Sequence, residues 1–332
     1  MPFLFLYVVL PLETWVTSAY ASKPLMKSSF ERDIVQFLHP GSEYPLQGTE
    51  GTMSWNYGPH HRKFMQAMGD YVENGKRING VSLMFWGEWE PQSHYNLIKS
   101  SYGESHYVHK PLLNLNESIR DNKGRIRQNT DPFVFEDAFY YRICQQIRRT
   151  GPTQLSFLDI GSIVLFGSHV NGRFVLDTVF VVDDSREYPD VMDSKELNGF
   201  VPSLYSEIVG IGLGNEVGDN NGCGRCNANT TNHPVHFRCY RGATFENRVN
   251  GMYSFVPCRL SDNAQWFERP VLTPKDVDFI SEEQSQGFKI KRGVSLEESR
   301  AIWESVREAC HKQGFIDGVR FYYDEVKTNV EL

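Results

Sequence analysis

The residues best equipped for chemistry lie in one run, Phe85-Trp86-Gly87-Glu88-Trp89-Glu90-Pro91-Gln92-Ser93-His94-Tyr95. Glu88 stands between two indoles, Trp86 and Trp89, and Glu90 follows the second, directly after the strand-like stretch 80–84. In an extended strand residues two apart share a face, so Glu88, Glu90 and Trp86 are expected on one side and Trp89 on the other. This equipment suits cleavage of a glycosidic bond. One carboxyl group protonates the leaving group, while the other steadies an oxocarbenium-like state or activates water. Two neighbouring acids also drive their pKa values apart, leaving one protonated and one ionised. Aromatic faces meanwhile stack on sugars and nucleobases. The competing structural reading is a strand end whose glutamates pair with Lys or Arg while both Trp rings pack in the core.

A second constellation precedes the first in the chain, at Trp55-Asn56-Tyr57-Gly58-Pro59-His60-His61-Arg62. Asn56 can read an amide or a base edge, His60 or His61 can shuttle protons near neutrality, and Arg62 can hold phosphate or carboxylate. Trp55 and Tyr57 add further rings for substrate contact. The run leads into a helix-like stretch over 63–72, whose N-terminus is an anion site of its own. Asp131, Glu136 and Asp137 are expected to cap and charge the start of another helix over 135–149. Asp177 lies inside an apolar strand and must either face outward or be specifically bonded, because a lone buried carboxylate is costly.

Cys223-x2-Cys226-x6-His233-x2-His236-x2-Cys239 is the metal-like pattern. Thiolate and imidazole suit tetrahedral zinc, and Cys223, Cys226, His236 and Cys239 form the expected structural quartet. No other cofactor is required, and Gly210-Ile211-Gly212-Leu213-Gly214 lacks the Gly-Lys-Ser/Thr of a phosphate loop.

Several elements must position these groups. Asn171-Gly172 separates the β-rich stretches 160–167 and 173–182 and marks a hairpin. Ser295, Glu298 and Gly314 bracket a helix over 296–313 as N-cap, capping-box partner and stop. Residues 3–9 read as a first buried strand in preference to a signal peptide, because no Lys or Arg precedes Lys23 and Pro11, Glu13 and Trp15 break the apolar run. Residues 98–130 and 183–200 read as loop-like. The expectation is one large α+β domain over 1–332, a strongly bent mixed or antiparallel sheet flanked by a few helices, with a Cys/His-containing insertion at about 215–240.

The hairpin Leu158-Asp159-Ile160-Gly161-Ser162-Ile163-Val164-Leu165-Phe166-Gly167 with Phe174-Val175-Leu176-Asp177-Thr178-Val179-Phe180-Val181-Val182 resembles part of a PUA-like barrel, the superfamily of the EVE and ASCH modules. The resemblance covers about 25 residues and transfers no catalytic residue. It implies a small barrel that holds an extruded or modified base in an aromatic pocket, in proteins that often serve restriction and defence.

Composition sets the remaining bounds. With 40% hydrophobic and 23% charged residues the chain is a folded protein and not a disordered one. A net charge of −7 gives no global attraction to phosphate, so nucleic-acid binding would need a local basic patch such as Arg142, Arg148 and Arg149 or Lys289, Lys291 and Arg292. The scattered cysteines imply a cytoplasmic setting. No membrane partner is expected and no protein partner is inferable. The sequence therefore points to a hydrolase of a glycosidic bond, DNA-glycosylase-like in releasing a modified base, or alternatively to a non-catalytic reader of such a base.

Overall fold

The computed structural model describes residues 32–39, 46, 48–53, 62–99, 105–113, 130–142, 144–148, 151–189, 197–202, 205, 236–261, 265–280 and 287–325. They are mostly β-sheet, with one α-helix, α1 (Leu296–Lys312), among them. The expected strand at 3–9 lies outside the described residues.

One sheet holds β1 (Arg32–His39), β7 (Phe133–Phe135), β8 (Ala138–Tyr141), β11 (Ile163–Val170), β12 (Arg173–Pro189), β13 (His236–Gly242) and β16 (Gly287–Val294), in the order β16-β1-β11-β12-β13-β8-β7. β15 (Val271–Leu272) adds to β12 at the side. Only β1 and β11 run parallel; the other pairs are antiparallel. The second sheet holds β2 (Glu50–Met53), β3 (Arg62–Glu73), β4 (Lys76–Glu88), β5 (Ser93–Lys99), β6 (Ser105–Leu113), β14 (Val256–Leu260) and β17 (Ile316–Tyr322). Its order is β17-β14-β4-β3-β6-β5-β2, and β17 also pairs with β3, so β3, β4, β14 and β17 close a ring. Gly69 permits that closure: a Cβ there would collide with the Arg320 carbonyl oxygen of the crossing strand. Two isolated bridges tie the sheets together, Val179 with Phe255 and Glu136 with Phe321.

The hairpin of β11 and β12 forms where Asn171-Gly172 foretells it, with both turn residues at positive φ (49° and 75°), the twist that suits flanking strands. The Ser295 hydroxyl accepts the Glu298 N–H and starts α1, and Gly314 beyond its end takes φ 81°.

Other expectations are corrected. Residues 63–72 form strand β3, not a helix, because both of its faces are buried. Phe64 and Val72 enter one core cluster, Met65, Ala67 and Tyr71 the other. A strand covered on both sides loses its two-residue alternation and reads like a helix. The stretch 135–149 likewise makes β7, β8 and a turn. Glu136 takes positive φ between the two strands, and the Asp131 carboxylate accepts the backbone N–H groups of Arg142 (2.9 Å) and Cys144 (2.8 Å) instead of capping a helix. Residues 183–189 extend β12, and 236–240 belong to the sheet as β13. Among the described residues no helix is long and apolar enough to cross a membrane.

Candidate functional site

The hairpin of β3 and β4 determines which charges meet. Its turn is Asn74-Gly75, again with both residues at positive φ, between the facing pair Glu73 and Lys76. Counting outward from that turn sets Arg62 opposite Gly87; the bulge between Gly69 and Tyr71 shifts it to Glu88. Facing residues of an antiparallel pair project to the same side, and Arg62 Nη1 lies 2.5 Å from Glu88 Oε2. Arg62 Nε donates to Asp177 Oδ2 at 2.5 Å, so β3 is bonded to β12 of the other sheet. The other Asp177 oxygen accepts from Arg269 Nη1 at 3.0 Å, which also donates to Ser168 Oγ at 2.8 Å. The Arg269 guanidinium lies 4.9 Å from the centroid of the Trp86 ring. The result is a buried polar seam, Glu88–Arg62–Asp177–Arg269–Ser168, running from one sheet into the next.

Electrostatics along the seam are those of clamped ions. Burial alone would lower the Arg62 pKa, but the Glu88 and Asp177 carboxylates outweigh it and raise the value. An arginine at that distance stabilises the ionised form of Glu88. Arg62 Nη2 is buried and has no hydrogen-bond partner among the described residues. An unmatched buried donor costs about 1–3 kcal/mol, so this guanidinium edge favours any acceptor that reaches it.

Lys63 projects to the opposite side of β3. Its Nζ donates to the Trp89 carbonyl oxygen, and burial pulls its pKa down to about 8 against the opposing pull of Glu90 and then Glu88. Nearby, His109 Nδ1 and Ser93 Oγ are 3.0 Å apart in the interior. Burial, reinforced by the Lys63 charge, drops His109 to about 3 and keeps the ring neutral. Glu90 is buried, and its backbone N–H donates to Thr130 Oγ1 at 3.0 Å.

The structure therefore brings Arg62, Glu88 and Trp86 to one seam at the ends of β3 and β4, while Glu90 is buried just beyond β4 and acts on Lys63. β4 ends at Glu88, so strand alternation does not extend to Glu90. The two indoles lie in different core clusters. Trp86 packs on Phe64 and Trp266 and donates its N–H to the Phe267 carbonyl; Trp89 packs on Phe133 and Tyr323 and donates to the Gln92 carbonyl. Trp55, Asn56, Tyr57, His60 and His61 lie outside the described residues, as do Cys223, Cys226 and His233. His236 opens β13, and Cys239 is buried deep in the sheet. Burial pushes the Cys239 thiol up to about 12 against the opposing pull of Arg142, with Asp131 adding to the rise and Tyr205 opposing it. Zinc takes the thiolate, whereas burial favours the neutral thiol of Cys239. No cluster of three or more metal-ligating side chains occurs among the described residues.

Sequence reasoning missed Lys63, Ser93, His109 and Arg269. Asn74-Gly75 was the available signal for the first: it fixes the hairpin that sends Arg62 and Lys63 to opposite faces. Arg269 has none, since its partner Asp177 is 92 residues away in the chain. Of the two basic segments, Arg142 is buried and donates to the Tyr188 hydroxyl. Comparison with family models, curated proteins and solved structures found no match to this chain.

Proposed function

We propose that the ends of β3 and β4 form the catalytic end of a hydrolase for a glycosidic bond, the base–sugar bond of a modified nucleotide in nucleic acid. The observation that carries this reading is the pair of buried glutamates in unlike settings, Glu88 ion-paired with Arg62 and Glu90 within the field of Lys63. Unlike settings are what separate an acid role from a charge-stabilising one. Glu88 and Glu90 are together the acid and the charge-stabilising pair for the oxocarbenium-like state, with Glu88 held in place by Arg62. His60 and His61 would complete the site from the segment that leads into Arg62, with Trp55, Asn56 and Tyr57 contacting the substrate. The PUA-like resemblance of 158–182 belongs to the same proposal, because Ser168 and Asp177 of that hairpin supply one side of the seam. So does a structural zinc on Cys223, Cys226, His236 and Cys239, which a metal analysis of the purified chain tests.

A second reading is favoured by the packing of Trp86 and Trp89, whose faces and N–H groups are engaged inside the protein. It is a non-catalytic reader of a modified base, with the free edge of Arg62 taking a base carbonyl. Incubating the chain with modified and unmodified DNA separates the two. Abasic sites in the modified strand support the hydrolase; stable retention of intact modified DNA supports the reader.

A further inference from the structure

Asp317 of β17 is fully buried, and three donors converge on its carboxylate. Tyr253 Oη donates to Oδ2 at 2.7 Å, Arg307 Nε donates to the same oxygen, and Oδ1 lies 2.7 Å from His311 Nε2. Arg307 already supplies the counter-charge that lets this carboxylate be buried, so a second cation is not needed for that purpose. Because Asp317 is the acceptor throughout, the proton of the neutral His311 ring sits on Nε2 and the lone pair on Nδ1. The ring makes no other hydrogen bond among the described residues, and its side chain is 37% exposed, so small molecules reach it without a channel through the protein. A base or nucleophile oriented by a buried carboxylate is the arrangement that activates an imidazole.

Place on the helix decides which chemistry suits it. His311 lies in the last turn of α1, where carbonyl oxygens give the end a partial negative charge and favour a cation. Asp317 favours positive charge on the same ring. Of the other charges at this end, Lys312 pairs with Glu308 at 3.0 Å, and Arg259 of β14 donates to the Gln313 carbonyl at 3.1 Å. A reaction that makes the imidazole cationic is therefore assisted, and one that loads it with negative charge is opposed. Acyl transfer is of the first kind, phosphoryl transfer of the second.

We propose that His311 is a surface nucleophile for small acyl donors with a good leaving group, and that Asp317 is its positioning residue. The Nδ1 lone pair bonds to the acyl carbon, the C=O π pair moves to oxygen and returns, and the leaving group departs as an anion with its bonding pair. The ring is then an acyl-imidazolium whose Nε2–H is held by Asp317. Water adds to the acyl carbon and gives one proton to solvent, the C–N bond breaks, and its electron pair returns to Nδ1. Ester plus water becomes acid plus alcohol, with nothing oxidised or reduced. No residue of the Glu88–Arg62–Asp177 seam takes part, so this activity is separate from glycosidic cleavage.

The full chain is treated with the acyl donor diethyl pyrocarbonate at pH 8, above the ordinary imidazole value of about 6.5, and the labelling rate of His311 is followed by peptide mapping. The same measurement is made on the chain unfolded in urea. His311 is expected to react at least about fivefold faster when folded, the scale of a charge-assisted hydrogen bond strengthening as the imidazolium forms. A histidine that only braces α1 against β17 reacts more slowly when folded, because it is partly covered. Asp317→Asn is expected to remove the acceleration; should that variant not fold, the folded-against-unfolded comparison on the unaltered chain still decides. With p-nitrophenyl acetate, His311→Gln is expected to lose most of the nitrophenolate release shown by the parent. Labelling of folded His311 at or below the unfolded rate, or release unchanged in His311→Gln, overturns the proposal. Neither readout involves base release, so failure here is distinguishable from failure of the glycosidic reading.

Discussion

Arg62 and Glu88 face each other across the β3–β4 hairpin, 2.5 Å apart and both sealed from solvent, and Arg62 reaches on to Asp177 in the other sheet. One guanidinium therefore holds two carboxylates contributed by two sheets. Removing one partner of a buried ion pair costs about 3–5 kcal/mol, because the other charge remains buried and unpaired. Arg62→Met is expected to destabilise the chain by at least that amount in urea unfolding. The triple variant Arg62→Met, Glu88→Gln, Asp177→Asn is expected to recover part of the loss. A triple variant no more stable than Arg62→Met would show that charge pairing is not what the arginine supplies.

Ring closure depends on Gly69. Alanine there is expected to cost about 1–3 kcal/mol, the range for forcing extra atoms into a packed site, by pressing on the Arg320 carbonyl oxygen. Gly80→Ala provides a control: its backbone is strained at φ 69°, but an added Cβ meets nothing within 4 Å. If Gly69→Ala lowers the midpoint of thermal unfolding no more than Gly80→Ala does, close approach of β17 is not what the glycine permits.

Acid sensitivity should trace to His109. Its folded pKa of about 3 lies below the ordinary value of 6.5, so the unfolded chain binds more protons between the two. Its contribution is complete above pH 6.5 and is lost as pH falls toward 3, with a slope of up to ~1.4 kcal/mol per pH unit. His109→Gln is expected to flatten that limb of the stability profile. An unchanged acid limb would contradict the buried, neutral ring.

Lys63 gives the opposite limb. Its folded pKa of about 8 lies below the ordinary 10.5, so burying the ammonium is a penalty at neutral pH. As pH rises above 8 the folded chain sheds that proton before the unfolded chain does, and stability increases toward pH 10. Lys63→Met is expected to be more stable than the parent at pH 7 and to show no such rise. A parent profile that falls steadily from pH 8 would refute the depressed value.

How much of this could be read in the sequence depends on the range of each interaction. Asn171-Gly172 and Ser295 act within a few residues, and the hairpin and helix they announce are present. β3 was misread because both of its faces are covered, so Phe64, Met65, Ala67 and Tyr71 carry no alternation. Asn74-Gly75 carried the corrective signal in the same stretch. Asp177 showed from its surroundings that it needed a partner, yet Arg62 is 115 residues away in the chain and Arg269 is 92. Pairing at such separation is decided by the packing of sheet on sheet. Glu88 and Glu90 stood out by residue type alone, and Lys63 did not, because only burial makes it unusual.

The most direct test of the glycosidic reading compares Glu88→Gln and Glu90→Gln with the parent chain in single-turnover base release from DNA carrying modified bases. Both substitutions keep shape and remove charge. Each is expected to slow release by about 10²–10⁴-fold, the range for a positioned acid or base, while leaving DNA binding within a few-fold of the parent. Release at the parental rate from both variants would contradict the account.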